Sequence, residues 1–466
     1  GTYDNTNSQI TGSGTIIVSN DLTWNGSSSS TWVTGDASNW TDDASNLAGT
    51  FATGSSTTFG DTGAGIVTIS GTVLPASVTV DSAASYTFEG GAIGGGGPLT
   101  KSGSSTLTLT GANTYIGTTS INAGTLVAGV ADVAATSGAL GNGGDISFGG
   151  GTLQYTANSA GTDYSSRIVN SISAMKFDTN GQTVTFGTAL ANTNTGGLTK
   201  SGAGLLDLKM GTPQYSGTTT IDGGTLRFIN VADLKSVSTG AFNINNGSTL
   251  EFESNIGGNN RTSLTGKTFT FDSNGGGTIN FNGGNHLFQA AVHTFTTTGG
   301  LKNTISRTND GFINNQGSGN TVFNVADGSD DVDLEFSAEW RNGTLTKSGA
   351  GTMAFTGVHS ISNDIAIDAG TLEIGGSSSL NGGTFTAAIT NAGIFKHNST
   401  ANQTLSGVSG VISGTGAVVK DNTGTLTLSG ANTYTGATTV SAGTLQLEGS
   451  LSSTSAISIA SGATFS

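Results

Sequence analysis

The sequence predicts an all-β fold, a parallel β-solenoid, and three observations carry that expectation. Residues 99–126, LTKSGSSTLTLTGANTYIGTTSINAGTL, recur near the other end of the chain at 419–445 as VKDNTGTLTLSGANTYTGATTVSAGTL. Looser copies lie between them at 198–226 and 345–372, and self-similarity on the scale of one supersecondary unit is the mark of a repeat architecture. Within a copy, Thr106-Leu107-Thr108-Leu109 and Thr118-Thr119-Ser120-Ile121 alternate polar and apolar, the two-residue period of a strand with one buried face. Strands this short cannot stand alone; stacked rung on rung they bury one continuous apolar column.

Each copy reads as strand, turn, strand, turn, strand. Lys101, Lys200, Lys347 and Lys420 open the copies, and Gly124, Gly224, Gly370 and Gly443 begin the closing Gly-Thr-Leu at a nearly constant offset. Recurrence of the lysine fits a structural turn better than catalysis, since chemistry is rarely wanted four times. Gly111-Ala112-Asn113-Thr114-Tyr115-Ile116-Gly117 is a turn-rich connector, and the fourth copy repeats its Gly-x-Asn-x-Tyr-x-Gly pattern in full. The second copy has one extra residue before Tyr215, and the third has Ile361 where the others have tyrosine. On these motifs the copies resemble the passenger-associated repeat of bacterial autotransporters and related giant surface proteins. The resemblance covers 112 of 466 residues. It implies a right-handed β-helix at a bacterial surface and brings no catalytic residues with it.

Residues 1–60 differ from the rest and are expected to form an N-terminal cap or assembly segment. Trp24, Trp32 and Trp40 are evenly spaced there, and Asn25-Gly26 is a good tight-turn dipeptide. A cap over the first open rung is favoured over a sugar-stacking aromatic platform. Residues 61–466 are expected to be one continuous solenoid without a dividing linker. Strand patterns resume at Val67-Thr68-Ile69, Val78-Thr79-Val80 and Tyr86-Thr87-Phe88. Short helical turns are expected only after the repeats, near Ala131-Asp132-Val133 and Ala232-Asp233-Leu234. Between residues 251 and 341 the alternation persists with phenylalanine as filler, which predicts a stacked aromatic column. Roughly 20 to 25 residues per turn would give about twenty rungs, and at ~4.8 Å per rung a rod of ~100 Å. The pattern breaks off at Ser466 in mid-rung, and 15–18 (TIIV) is a strand-like segment without a partner. Together these raise head-to-tail stacking of copies into filaments, because heterologous contacts that do not close generate fibres.

Composition narrows the function classes. Glycine is 76 of 466 residues, proline only 3, and 10% of residues are charged, so threonine, serine and asparagine must clothe the outward faces. Disordered chains tend the other way, toward many charges and few β-branched residues. A formal charge of −15 argues against nucleic acid, which wants a basic stripe. There is no cysteine, so stability must come from packing and hydrogen bonds. No apolar run is long enough to encode a membrane-spanning helix. The chain starts at Gly1, which reads as a mature or excised piece of an exported protein.

No catalytic, cofactor-binding or metal-binding residue is assigned. The densest acidic run, 327–333 (DGSDDVD), lacks the ligand order of an EF-hand and is read as a solvated turn rather than a calcium site. His286, His293, His359 and His397 are scattered without zinc-like spacing. The glycine run 94–97 and Gly266-Lys267-Thr268 lack the frame of a phosphate loop, position 261 being Arg261 where that loop needs glycine. An enzyme would need paired groups on adjacent rungs; Asp207 with Lys209, or Asp364 with Asp368, are the candidates, each more simply an outward residue of a strand. The expected function is therefore that of an extracellular structural protein of a bacterial surface or matrix. It would be partnered by itself, or by surface glycans or host cells as an adhesin stalk; a polysaccharide-active enzyme is the rival. The residues expected to hold it up are the column Leu107, Leu109, Ile121, Leu126 and its counterparts Leu426, Leu428, Val440, Leu445.

Overall fold

A computed structural model describes residues 20–134, 136–209, 214–229, 240–253, 261–264, 266–272, 276–289, 292–316, 319–406, 411–452 and 456–466. Residues 15–18, Ala232, Asp233 and Leu234 lie outside these. The chain divides into two units, 1–144 and 145–466.

In the first unit the rungs pair in parallel register. Phe59 lies beside Val80, Val80 beside Lys101, and Lys101 beside Ile121, so successive turns are short and nearly equal in length. A second sheet pairs Thr106–Leu109 with both Tyr86–Ile93 and Thr125–Ala128. Among the described residues antiparallel strands occur at one place, where Asp21–Trp24, Trp40–Asp42 and Leu47–Gly49 run alternately. Trp24, Trp32 and Trp40 are at most 1% exposed and pack edge to face with one another and with Phe51 and Phe59. They fill the interior and offer no ring to a sugar.

The second unit is a parallel solenoid throughout. One sheet climbs from Thr152–Tyr155 to Ile412–Ser413, each strand paired with the next rung. A second sheet of 13 strands climbs from Thr183–Phe186 to Ile457–Ile459. A third side is shared by a six-stranded sheet, Arg261–Ser263 to Ser379–Leu380, and a five-stranded one, Thr384–Phe385 to Thr464–Phe465. Strand residues alternate between buried and solvent-facing, as the two-residue period requires.

All eight of the expected column residues are fully buried. The phenylalanine region builds two face-to-face stacks: Phe242, Phe269, Phe295 and Phe323 with ring centroids 4.8–5.3 Å apart, and Phe228, Phe252 and Phe281 at 5.7–5.8 Å. Turns here are longer than in the repeats. Phe269 pairs with Phe295 and His293 with Thr321, whereas Lys200 already meets its partner at Ile221. The described residues accordingly make about 16 turns rather than twenty.

Of the two places where short helical turns are expected, residues 232–234 lie outside the described residues; at the other, Val133 and Ser137 bridge and Thr136 N donates to Val133 O, while the 3-10 segments among the described residues are Ser165–Arg167 and Asn381–Gly383. Among the described residues no helix is long and apolar enough to cross a membrane.

Candidate functional site

The feature that recurs is a corner built around an interior lysine. Lys101, Lys200, Lys347 and Lys420 each occupy a buried position of an alternating strand, and each is fully buried. On the next rung an aliphatic residue lies in register with each: Ile121, Ile221, Ile367 and Val440. A lysine stem can serve as apolar filling while its head seeks polar partners. Here the head turns into the corner and donates to three backbone carbonyls.

Lys200 Nζ reaches Ser201 O at 2.9 Å, Gly202 O at 2.8 Å and Gly223 O at 3.0 Å. Lys347 repeats this with Ser348, Gly349 and Ala369 at 2.9–3.1 Å. Lys101 does so with Ser102, Gly103 and Ala123, and Lys420 with Asp421, Asn422 and Ala442. The third carbonyl in each set belongs to the following rung, so the ammonium clasps two rungs together. Burial pushes all four lysines down; Lys200 and Lys347, at about 8, are still mostly ammonium at neutral pH.

The corner explains two of the repeat's signatures. The second carbonyl comes from Gly103, Gly202, Gly349 or Asn422, all in the left-handed region at φ +60 to +76. Asparagine is the side-chain-bearing residue that tolerates this conformation best, so the fourth copy keeps the corner without the glycine. The closing glycine is stricter. Gly124 has φ +61, and a Cβ there would sit 2.2 Å from Ser105 O and 2.8 Å from Lys101 Nζ; Gly443 is under the same constraint beside Lys420.

A second clasp lies across each connector. The Tyr115 hydroxyl bonds Thr119 Oγ1 at 2.8 Å, Tyr215 bonds Thr219 at 2.8 Å, and Tyr434 bonds Thr438 at 2.7 Å, all inside the core. The third copy carries Ile361 and Ile365 at these two positions, both buried. Both partners of the hydrogen bond are replaced together there, leaving no orphaned hydroxyl. Asn113 and Asn432, just before the tyrosine, accept from the N–H of Ile93 and Ile412 on the preceding rung. His359 takes that place in the third copy. Its ring packs at 4.2 Å against Phe355, and neither ring nitrogen has a hydrogen-bond partner.

The remaining candidates resolve into structural roles. All four histidines are fully buried, and desolvation lowers His286, His293 and His397 to about 4 and His359 to about 3. In the acidic run, Asp333 is buried and accepts from the N–H of Gly328 and Thr352, and Asp330 accepts from Lys302 N. Asp327, Asp330 and Asp331 are exposed, as in a solvated turn, and Asp333 alone is buried as a backbone staple. Asp207 is bound by Arg227 on the next rung, at 2.7 and 2.8 Å, while Lys209 is exposed. Asp364 accepts from Ala388 N, and Asp368 donates its own N–H to Lys347 O. Among the described residues no three histidine, aspartate or glutamate side chains gather as metal ligands. Sequence reasoning missed the lysine corners, although the alternation of Leu99-Thr100-Lys101 already placed the lysine on the leucine's face.

Comparison with known proteins agrees with this architecture. The model of the passenger-associated-transport-repeat family matches residues 99–128, 198–228, 345–374 and 418–447. The chain is 33% identical over 186 residues, 39% of its length, to the adhesin BmaC autotransporter of Brucella suis biovar 1 (strain 1330). It spans about 5% of that relative's length. No solved structure matches it. The chain is a bearer of the passenger-associated transport repeat, in four copies, each with its lysine corner, within an all-β solenoid fold.

Proposed function

We propose that this chain is a segment of the surface-exposed passenger of an autotransporter-type adhesin, acting as a structural stalk rather than as a catalyst. The observation that carries the reading is the recurrence of one repeat, four times, with the same interior lysine clasp in every copy. Such clasps tie rung to rung through backbone atoms and leave nothing reactive exposed. The carboxylates weighed as catalytic pairs serve backbone N–H groups or a neighbouring arginine. The relative named an adhesin supports a role in contact with other surfaces. The aromatic cluster of Trp24, Trp32 and Trp40 fits the expected cap over the first rungs.

The test is antibody labelling of intact cells of the source bacterium, using serum raised against this chain. Labelling of unbroken cells, removed by brief external protease, is the expected result. Signal that emerges only after lysis would overturn the proposal.

A further inference from the structure

The fourth lysine corner differs from the other three in what lies behind it. On the rung before each corner lysine, the residue in register is Val80 for Lys101, Phe177 for Lys200 and Phe323 for Lys347. For Lys420 it is His397. All four of these residues are fully buried. Three corners are thus backed by apolar side chains, and one by a group that can take a proton.

The surroundings oppose that proton. Ile374 flanks His397 in register on the preceding rung, and neither ring nitrogen makes a hydrogen bond among the described residues. Burial is the main cause that holds the ring neutral, down at about 4, and the ammonium of Lys420 is the second. Nearby backbone at His397 and Ala401 pulls the other way without offsetting them.

The charged groups on the packed strands are otherwise engaged. On the histidine's own strand, Ile394–Ser399, Lys396 faces outward and is paired at 2.9 Å with Glu373 of the preceding strand, Thr371–Gly376. On the following strand, Ala417–Lys420, the lysine faces inward, and Asp421 just beyond it favours that ammonium. Gln403–Leu405 and Thr425–Leu428, on the third side, carry no ionisable residue. Ring and clasp are also joined through the backbone. Asp421 N donates to His397 O at 2.8 Å, while Lys420 Nζ holds the carbonyls of Asp421 and Asn422.

We propose that His397 and Lys420 form an acid-sensitive joint in the fourth copy: a proton on His397 places two buried cations on adjacent rungs, and the Lys420 clasp gives way so that water can reach them. Register neighbours stand ~4.8 Å apart, where like charges withdrawn from water repel strongly. The opened rung binds the proton more readily than the closed one. The closed rung therefore keeps its full stability above about pH 6.5 and loses it as pH falls toward 4. The opened level would bare strand edges on both sides of the break, while the three corners with apolar backing stay shut.

The experiment is hydrogen exchange on the full chain at about pH 7 and pH 5, corrected for the intrinsic rate at each pH. One proton shifts an opening equilibrium by at most about tenfold per pH unit. Expected in wild type is opening across 394–420 that rises about tenfold or more at the lower pH, relative to 99–128. His397→Phe, which installs the residue found at 177 and 323, should abolish that rise, and Lys420→Met should diminish it. Should His397→Phe fail to fold, Phe177→His carries the converse test, since it should confer an acid rise on 198–228. Equal acid response of the first and fourth copies in wild type would overturn the proposal. So would a rise that survives His397→Phe, one undiminished in Lys420→Met, or none conferred by Phe177→His.

Discussion

The repeat rungs and the phenylalanine rungs reach the same parallel register by different means. A repeat rung closes quickly, from Lys200 to Ile221 or from Lys347 to Ile367, and seals its corner with an ammonium on three carbonyls. A phenylalanine rung takes a longer path, from Phe269 to Phe295 or from Phe295 to Phe323, and is held by rings stacked 4.8–5.0 Å apart. One solution is polar, directional and nearly invariant in sequence. The other is apolar, tolerant of loop length, and visible only as alternation. The columns join: Phe177 lies in register with Lys200, and Phe323 with Lys347. A solenoid therefore needs only a filled column and a satisfied corner at each level, and the two demands can be met by different chemistry.

Acid should separate the two regions most strongly. His286 and His293 lie in the aromatic part and His359 in the third copy, against Phe355, with folded-state values of about 4, 4 and 3 against about 6.5 unfolded. Between those values the unfolded chain binds more protons than the folded one, so stability falls as pH drops from about 6.5 toward 4. Each histidine forced to charge would cost about 2–3 kcal/mol by pH 4. Arg307 adds to the effect at His359, and that arginine is paired with Glu339. Hydrogen exchange corrected for pH should show residues 261–380 opening before the copy at 99–126; simultaneous opening would break the distinction.

Removing one ammonium tests the corner itself. Lys200→Met keeps the stem but takes the ammonium from three half-buried corner carbonyls, of which Ser201 O still accepts from Thr179 N, at a cost of about 1–3 kcal/mol. Denaturant unfolding should show that loss; an unchanged midpoint would mean that the column, and not the clasp, sets the rung.

The smallest effect comes from rewriting one copy after another. Tyr115→Ile or Thr119→Ile alone breaks the hydroxyl pair and should cost about 1–2 kcal/mol, whereas the pair together imitates Ile361 and Ile365. A double variant at least as stable as either single one is expected in thermal melts. Strict additivity would refute the reading of the third copy as a compensated exchange.

Much of the fold was legible because a solenoid writes its structure locally. Leu107 in the first copy and Leu426 in the fourth were placed inside by alternation alone, and both are buried. The phenylalanine column was visible for the same reason. Less legible was anything that depends on a polar residue being inside. Lysine and histidine are usually outward, so composition hid Lys101 and His359, although both sit on the apolar phase of their strands. The place of the short helical turns, at Ser165–Arg167 and Asn381–Gly383, depends on how loops fold back, which the two-residue period does not encode.

The interior lysines have a further consequence for a chain with 15 basic residues in 466. Trypsin-like proteases cut after lysine and arginine, and need the chain to leave its strand to do so. With Lys101, Lys200, Lys347 and Lys420 folded inside, the most conspicuous recurring cleavage signal of the repeat is withdrawn from attack for as long as the rung holds. Each of these four bonds becomes accessible only with local opening of its rung, so the clasp that steadies the corner also makes digestion a measure of its failure.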